Sequence, residues 1–514
     1  MQVVNQIYRG FQRIGREPPS VNELLKMTDG DTKTWELYHK GCTLCLNQVE
    51  KTGTSARVGI YKPTNISELA AFVAAIRPGF SSMYKIFESR KSFSYGVKAF
   101  DDLIQTEQMP NSFVLYQEQE MAALNYAGIP MPDCYTAIKN IAKKRVDKVL
   151  KYKQQFKDGF KVAILKEGKS EEEANKLTDS LWQIMEDSAH YSFNSSHAYC
   201  VALDSLYGAW LKAHHPLEFY ETVLRIYETK GDKDKMGALK AEAESYFNIS
   251  FPPFRYGIDN RGIKADPDKN AIYNSIAAIK GFGVSIGKTL YQCASELGPL
   301  ASFIEVLSWL DKRSIKSAKI IPLIKIDYFQ QFGNNAELLR LVDLFDFFKQ
   351  GSAKTIKKDK LDPTMEAFIK AHGTDKGAKG AELKSYTITD MDGLLKDLEA
   401  YIMGLHLPEL PYRVRAANQK EILGYVDLTT HLEADRRKLY ILEQYELKSK
   451  YTGKPWTYVV FAKSIGSGKT SRLYIKPFVF EKEPFQEGSI VFARNLQKDG
   501  KGYWWLHDYD VMPG

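Results

Sequence analysis

Between Lys139 and Lys157 the chain carries Lys139, Lys143, Lys144, Arg145, Lys148, Lys151, Lys153 and Lys157, with Asp147 the one acid among them. Ile138, Ala142, Val146, Val149, Leu150 and Phe156 recur at helical spacing, which predicts one helix over 137–157 docked by its apolar stripe. Exposed helix faces are normally laced with acids that pair the bases. Their absence favours an anionic partner, phosphate above all, over the plainer reading of a solvated charged face.

Polar groups suited to the same work stand on either side of this segment. Val-Leu-Tyr-Gln-Glu-Gln-Glu-Met at 114–121 offers the amides of Gln117 and Gln119, and Arg77 follows a helix predicted at 66–76 that is apolar on most of its surface. His197 lies in a Ser-Ser-His-Ala turn before a long helix, where a capped structural histidine is the commoner role. Trp-Leu-Lys-Ala-His-His-Pro follows at 210–216; its two histidines, being adjacent, point apart and cannot chelate one metal. Further on, Lys280, Gly281, Phe282, Gly283 and Lys288 form a hydrophobic-Lys-Gly-hydrophobic-Gly turn. Glycines there let backbone amides approach a phosphate at a helix N-terminus, which gives DNA contact without sequence readout. Residues 310–333 read as a second, poorer repeat of the same kind.

Other patterns lead away from chemistry. Cys42 and Cys45 form a lone Cys-x-x-Cys without a second ligand pair, so two buried thiols fit better than zinc. Gly466 to Thr470 imitates a phosphate loop, but Lys463 occupies the place of its first glycine and a strand follows. Phosphoryl transfer needs carboxylates holding two divalent metals, and no such aspartate cluster stands out.

The elements that must position these groups fall into four stretches. The length of 514 residues suits several domains, the net charge of +8 suits a nucleic-acid partner, and five scattered cysteines make no disulfide framework. No apolar run is long enough for a membrane span and no secretory signal is present, so a cytoplasmic, nucleoid-associated protein of a bacterial or phage-infected cell is expected. Residues 1–248 are mostly helical, beginning with an amphipathic helix at 3–14. Residues 249–340 carry the glycine turn. Residues 341–417 include a helical apolar segment with Asp343, Leu344 and Phe345, then a Lys/Gly-rich exposed linker at 351–384. Residues 418–514 show five strand-length segments, at 422–427, 456–462, 471–477, 489–493 and 503–507, which predict an OB-like barrel with Tyr503, Trp504 and Trp505 either stacking bases or filling its core. The fold class is thus multidomain α+β, mostly α, followed by a small β-barrel.

Taken together, Tyr-Gln-Glu-Gln, the Ile-Lys-x-Ile-Ala-Lys-Lys-Arg segment, Phe-Asn-Ser-Ser-His-Ala-Tyr and Leu-Lys-Ala-His-His-Pro resemble the fingers region of bacterial C-family replicative polymerases, the alpha subunit of DNA polymerase III. Departures are local: Asn47 replaces a usual phenylalanine, Lys51 a usual serine, Phe80 a usual proline, and Ser195 a usual basic residue. The resemblance implies fingers, a helix-hairpin-helix region and an OB domain that bind template-primer DNA, single strand and incoming dNTP. Arg77, Gln117, Gln119, Lys139, Lys143, Lys144, Arg145 and His197 would line the cleft, and Lys280, Gly281, Gly283 and Lys288 would touch the duplex. Asp343, Leu344 and Phe345 lie where the family places a peptide for the sliding clamp, with Leu341 in place of its glutamine. The Pro-Asp-x-Asp-x-Asp and Lys-x-Asp-x-Leu-Gly elements of the palm are not found. The expectation is therefore one half of a split polymerase, or a chain cut at that boundary, inactive alone, with Mg2+ held by a separate palm polypeptide. That reading expects the apolar face of the first helix (Val3, Val4, Ile7, Phe11, Ile14) to await the missing half. A non-enzymatic DNA-binding or clamp-associated accessory is the rival.

Overall fold

The computed structural model describes residues 2–77, 80–81, 83–91, 93–105, 112–189, 192–349, 355–376, 381–428, 435–449, 451–500 and 502–513. The chain divides into two units, Met1–Ser250 with Ala265–Ile272, and Phe251–Lys264 with Tyr273–Gly514. Among the described residues no helix is long and apolar enough to cross a membrane.

The first unit is helical. Its centre is the helix Ser195–His214, started by the Asn194 side chain, which accepts from the His197 amide. Against it pack Ile66–Ala75, apolar on nearly every face, and the first helix, Gln2–Arg13. The first helix does not hold its apolar face open. Ile7 and Phe11 are buried in this chain, the Phe11 ring stacking on Trp210 with centroids 5.7 Å apart. The expectation of a vacant face there fails because Trp210 and Tyr207 supply the partner surface; Val3 and Val4 lie outside the described side chains.

Lys212 explains the Leu-Lys-Ala-His-His-Pro segment. It is fully buried, ion-paired to Glu242, and donates to the carbonyls of Cys42 and Leu44 at 3.1 and 2.9 Å. Glu242 also accepts from the Tyr220 hydroxyl and the Leu44 amide. This buried charge pair fixes the loop after Thr32–His39, where Cys45 and Gln48 take positive φ. Cys42 and Cys45 are buried thiols, and burial pushes both up to about 11.

A second helical core forms from Lys98–Ile104, Gln117–Tyr126, Met131–Ala142, Val146–Lys166 and Glu171–Ala189, filled by Phe156, Phe160, Leu181 and Trp182. Gly159 lets two helices close, since a Cβ there would stand 2.6 Å from the Ala127 Cα. A short ribbon, β1 (Lys264–Asp266) with β2 (Ala271–Tyr273), lies where the chain passes between the units.

In the second unit the helices Val284–Leu297, Phe303–Asp311, Ser317–Lys325 and Asn335–Lys349 share one core. Residues expected as a linker are part of it. β3 (Thr355–Lys357), β4 (Gly373–Lys376) and β5 (Glu382–Ile388) make an antiparallel sheet in the order β3-β5-β4, and Ile369, Tyr386 and Ile388 enter the core with the helices Pro363–His372 and Met391–Gly404. A few large apolar residues at alternating positions suffice, which the Lys/Gly-rich composition masks; 351–354 and 377–380 lie outside the described residues.

The last stretch closes into a five-stranded barrel: β6 (Lys438–Lys448), β7 (Pro455–Ser464), β8 (Thr470–Ile475), β9 (Ile490–Lys498) and β10 (Trp504–Val511), in the order β10-β8-β7-β6-β9. Within the barrel only β8 and β10 pair in parallel, and the short helix Pro477–Phe480 sits between β8 and β9. This is OB topology. Residues 422–427 are not its first strand: they end the helix Tyr412–Leu423, which stops at Gly424 with φ +84°. The true first strand, β6, mixes Glu, Gln and Lys with its apolar residues and so hides from a search for apolar runs.

Candidate functional site

The motifs at 114–121 and 193–199 meet in space. Tyr116 bridges Phe193 in parallel; the Phe193 amide donates to Leu115 O at 3.3 Å and the Gln117 amide to Phe193 O at 3.0 Å. Glu118 completes the join by accepting from Asn194 Nδ2 at 2.7 Å and the Ser195 amide at 3.0 Å. Ser195, where the family usually has a basic residue, thus contributes its backbone to the junction.

Arg77 lies on this junction. Its guanidinium carbon is 3.6 Å from the Phe193 ring centroid, and the exposed His197 ring also neighbours Phe193, at 4.8 Å. Arg77 Nε is buried without a hydrogen-bond partner among the described residues, and burial holds the group below its usual pKa. Beside it is a cavity of about 130 Å³ lined in part by Arg77, Phe80, Met83, Ile184, Ser188 and Ser192. Arg77, Gln117 and His197 therefore gather round Phe193.

Gln119 does not. It is fully buried, its Oε1 accepting from the Leu115 and Tyr116 amides at 2.8 and 2.9 Å while Nε2 donates to Ile104 O at 2.9 Å. Every polar atom is occupied in holding the turn, so Gln119 positions the loop and offers a ligand nothing. Sequence reading missed Glu120, two residues beyond Glu118. It is buried, with Ser192 Oγ 3.0 Å from Oε2, Oε1 without a partner among the described residues, and a pKa raised by burial to about 8.

The basic segment is two helices, not one. Met131–Ala142 ends, Lys144 takes φ +51°, and Val146–Lys166 begins after Arg145. The break suits the charges: Lys139 lies in the last turn of the first helix and Asp147 in the first turn of the second, each favourable to its helix dipole. Lys143, Lys144 and Arg145 make the connection and are exposed, as are Lys148 and Lys151; Lys139 lies over the Tyr135 ring at 4.3 Å. Beyond them the cations are engaged by the next helix, Lys157 by Asp179, Lys161 by Glu171 at 2.9 Å, and Lys153 by Trp182. The acids missing between Lys139 and Lys157 come from Glu171–Ala189. Among the described residues the unpaired cationic surface thus narrows to Lys139–Lys151, and no hydrogen bond, ion pair or ring contact joins it to Arg77 or His197. A larger cavity of about 460 Å³ lies elsewhere in this unit, lined by Lys40, Gly41, Thr43, Glu50 and Ser55 among others.

In the second unit Lys280, Gly281, Phe282 and Gly283 form a tight turn with Gly281 at φ +82° and Gly283 as N-cap of Val284–Leu297. Lys280 and Lys288 are exposed. What precedes the turn is a 3-10 stretch, Ile276–Ala278, rather than a full helix. The repeat expected to be the poorer is the better formed: Phe303–Asp311 leads through Arg313, Ser314 (φ +63°), buried Ile315 and extended Lys316 into Ser317–Lys325. Its backbone course repeats that of Lys280–Gly283, and Lys319 ties the two turns by donating to Gly281 O at 2.6 Å. Ser314, standing in place of a glycine, conceals the likeness. The clamp peptide expected from the sequence is not accessible: Leu344 and Phe345 lie on the buried face of Asn335–Lys349, in a helix, with only Asp343 of the three exposed.

On the barrel, Tyr445, Val459, Tyr474 and Trp505 are successive cross-strand partners over β6, β7, β8 and β10. Arg472 lies 5.2 Å from the Tyr474 ring and donates to the Tyr445 hydroxyl at 3.0 Å, while Lys476 lies 4.7 Å from Trp505. Trp504 and Tyr503 are exposed in part, so these aromatics are not barrel core; Leu506 and Tyr509 are. The Gly466–Thr470 loop is the hairpin between β7 and β8, with no helix to receive a phosphate.

The description "Bacterial DNA polymerase III alpha subunit finger domain" fits residues 7–163. That stretch is similar to a polymerase finger domain. The chain resembles DNA polymerase III subunit alpha of Thermus aquaticus (28% identical over 60% of this chain and 25% of the relative), of Aquifex aeolicus (24%, over 80% and 36%) and of Ureaplasma parvum (26%, over 84% and 40%). It is thus similar to part of a C-family alpha subunit and spans between a quarter and two-fifths of the length of these relatives. Among the described residues no group of three His, Cys, Asp or Glu side chains could hold a metal ion.

Proposed function

We propose that this chain is the DNA- and nucleotide-handling part of a C-family replicative polymerase, completed by a palm polypeptide that carries Mg2+. The observation that carries the reading is the unpaired cationic turn, Lys139 with Lys143–Lys151, within the finger domain. Cations held away from acids at the junction of two helices suit a triphosphate or the template-primer backbone. Arg77, with a buried unpaired Nε over Phe193, and His197 beside it would serve the same substrate.

The second unit would hold the DNA beyond the reaction. Two turns of like course, each followed by a helix N-terminus and flanked by Lys280, Lys288, Lys312, Arg313 and Lys316, suit two phosphates of a duplex. The row Tyr445–Tyr474–Trp505, with Arg472 and Lys476 upon it, suits a single strand, bases on rings and phosphates on cations.

The test combines absence and reconstitution. The purified chain with Mg2+ and dNTPs should not extend a primer, and addition of the palm polypeptide should restore extension. Replacing Lys139, Lys143, Lys144 and Arg145 by alanine should reduce the dependence of log K on log[salt] for template-primer duplex by about 0.9 for each phosphate no longer neutralised. An unchanged salt slope would refute the role of the turn; synthesis by the chain alone would refute the division of labour.

A further inference from the structure

The surface that ends in the cationic turn is not cationic throughout. Met131, Tyr135 and Lys139 stand at successive four-residue steps of the helix Met131–Ala142, so they form one line along its surface. The other side of that helix, with Cys134, Ala137, Ile138 and Ile141, is buried in the second helical core, so the line faces away from it. Met131 and Tyr135 are each 46% exposed. A tyrosine carries a large apolar face. Among the described residues the Tyr135 ring has one partner, the Lys139 ammonium 4.3 Å from its centroid; no ring packs on it and its hydroxyl makes no hydrogen bond. Tyr126, exposed to the same degree, is by contrast anchored on Phe160 at 5.0 Å.

Beyond the turn the same mixture recurs, Leu150 being exposed between the exposed Lys148 and Lys151. Cations alone suit phosphates of paired and unpaired strands alike. A duplex turns its backbone outward and hides the faces of its bases, so it gives a ring on a helix surface nothing flat to pack on; an unpaired strand gives a base with a phosphate beside it. Tyr135 and Lys139 are one helical turn apart, about 6 Å along the axis. Asp133, the one acid of this helix, stands two residues before Tyr135 and thus on its other flank. Ring, cation and the further cations of the turn therefore follow in the order of a base, its own phosphate and the next ones. The contact of Lys139 with the ring is an exposed cation–π pair and weak; a phosphate draws the ammonium away, and a base takes its place on the ring. Lys139, Lys143, Lys144, Arg145, Lys148 and Lys151 outnumber the phosphates of one nucleotide, which selects a strand over a free triphosphate.

We propose that Tyr135 is a stacking platform for an unpaired base of a DNA strand, with Lys139 receiving the phosphate of that nucleotide and the cations beyond receiving the next ones. This rests on the reading of the cationic turn as a phosphate surface and adds the state of its nucleic acid, a single strand rather than the outside of a duplex.

The experiment uses the full chain carrying Arg472→Ala and Tyr474→Ala, which takes the aromatic row of the barrel out of the readout. Four probes bear 5-iodouracil, which photocrosslinks to an aromatic ring stacked on it: a free single strand, a template-primer with the label in its overhang, a blunt duplex, and 5-iodo-dUTP. The expected result is an adduct on the peptide containing Tyr135 with the single strand and the overhang, and none with the blunt duplex or the triphosphate. Tyr135→Ala should lower affinity for single strand and overhang about tenfold and leave the blunt duplex unchanged, and Tyr135→Phe should retain the affinity. Lys139→Ala should weaken all three DNA probes and lower the salt slope. Overhang affinity indifferent to Tyr135→Ala, or an equal loss on the blunt duplex, would overturn the platform; an adduct with the triphosphate would overturn the strand as its occupant. If the platform fails while alanine at Lys139, Lys143, Lys144 and Arg145 still reduces the salt slope, the cationic turn stands without it; if the slope is unchanged as well, the reading of the turn falls with it.

Discussion

Replacing Glu120 by glutamine should remove a pH dependence from the stability of the first unit. The carboxyl is buried beneath the Ser192–Ser195 turn with one oxygen unpartnered among the described residues, and burial raises its pKa from the ordinary 4.5 to about 8. The unfolded chain binds fewer protons at this site than the folded one between those two values. Stability is therefore greatest below about pH 4.5, falls as pH rises towards 8, and changes no further above it. Each pH unit inside the window costs about 1.4 kcal/mol, so the wild type should lose about 2.7 kcal/mol from this group between about pH 5.5 and 7.5. Glutamine is neutral throughout, although its amide, buried opposite the unpartnered position, costs about 1 to 3 kcal/mol at every pH. Denaturant unfolding of both proteins at the two pH values gives a double difference free of all other titrating groups. The variant should gain about 2 to 3 kcal/mol on the wild type across the interval; parallel profiles would mean that Glu120 is ionised in the folded protein and that the argument from burial is wrong.

Other consequences can be read by similar means. Lys212→Met should destabilise the first unit by about 3 to 5 kcal/mol in thermal or denaturant unfolding, because it strands the buried Glu242 charge; Glu242→Gln should do likewise. Gly159→Ala should cost about 1 to 3 kcal/mol, since its methyl would meet the backbone of Ala127. His372 is hydrogen-bonded by Asp397 and Asp390, which raise its pKa in that order of effect. Its contribution is complete below the ordinary histidine value and is lost as pH rises through the higher folded value, so His372→Gln should flatten melting temperature against pH there and leave the acid limb unchanged. Lys143→Ala, in a complex active with the palm, should raise KM for nucleotide or lower kcat/KM about tenfold, the effect of removing one charge-assisted hydrogen bond.

Much of the architecture was legible because the chain announces it in local terms. The apolar Ile66–Ala75 helix, the body of the long helix Ser195–His214, and four of the five barrel strands follow from periodicity alone, although Asn194 starts that helix early enough to place His197 in its first turn. What was not legible depends on partners distant in sequence. Gln119 and Arg77 are both polar residues next to apolar stretches, and only the carbonyl of Ile104 and the ring of Phe193 separate the loop brace from the candidate ligand. The first helix shows an apolar face whose owner, Trp210, is about two hundred residues away. In the clamp candidate, Leu344 and Phe345 are spaced as well for a helix core as for a docking peptide, and burial decides for the core.

The break at Lys143–Arg145 gathers cations that one continuous helix would disperse. A continuous helix would spread its cations around the side away from the core, where the acids of Glu171–Ala189 could reach most of them. In the structure Asp179 and Glu171 do reach Lys157 and Lys161, further along the second helix. By ending one helix at Ala142 and starting another at Val146, the chain places Lys143, Lys144 and Arg145 on a connection outside that reach, with Lys144 held at φ +51°. A lysine in the left-handed region carries a steric cost that asparagine or glycine would lessen. Stability alone favours Lys144→Gly or Lys144→Asn, so retaining a cation at this position is evidence of a demand other than folding. The two substitutions should therefore raise the melting temperature slightly while weakening template-primer binding. If Lys144→Asn stabilised the protein and left DNA affinity and its salt dependence intact, the cationic turn would be a feature of the fold alone.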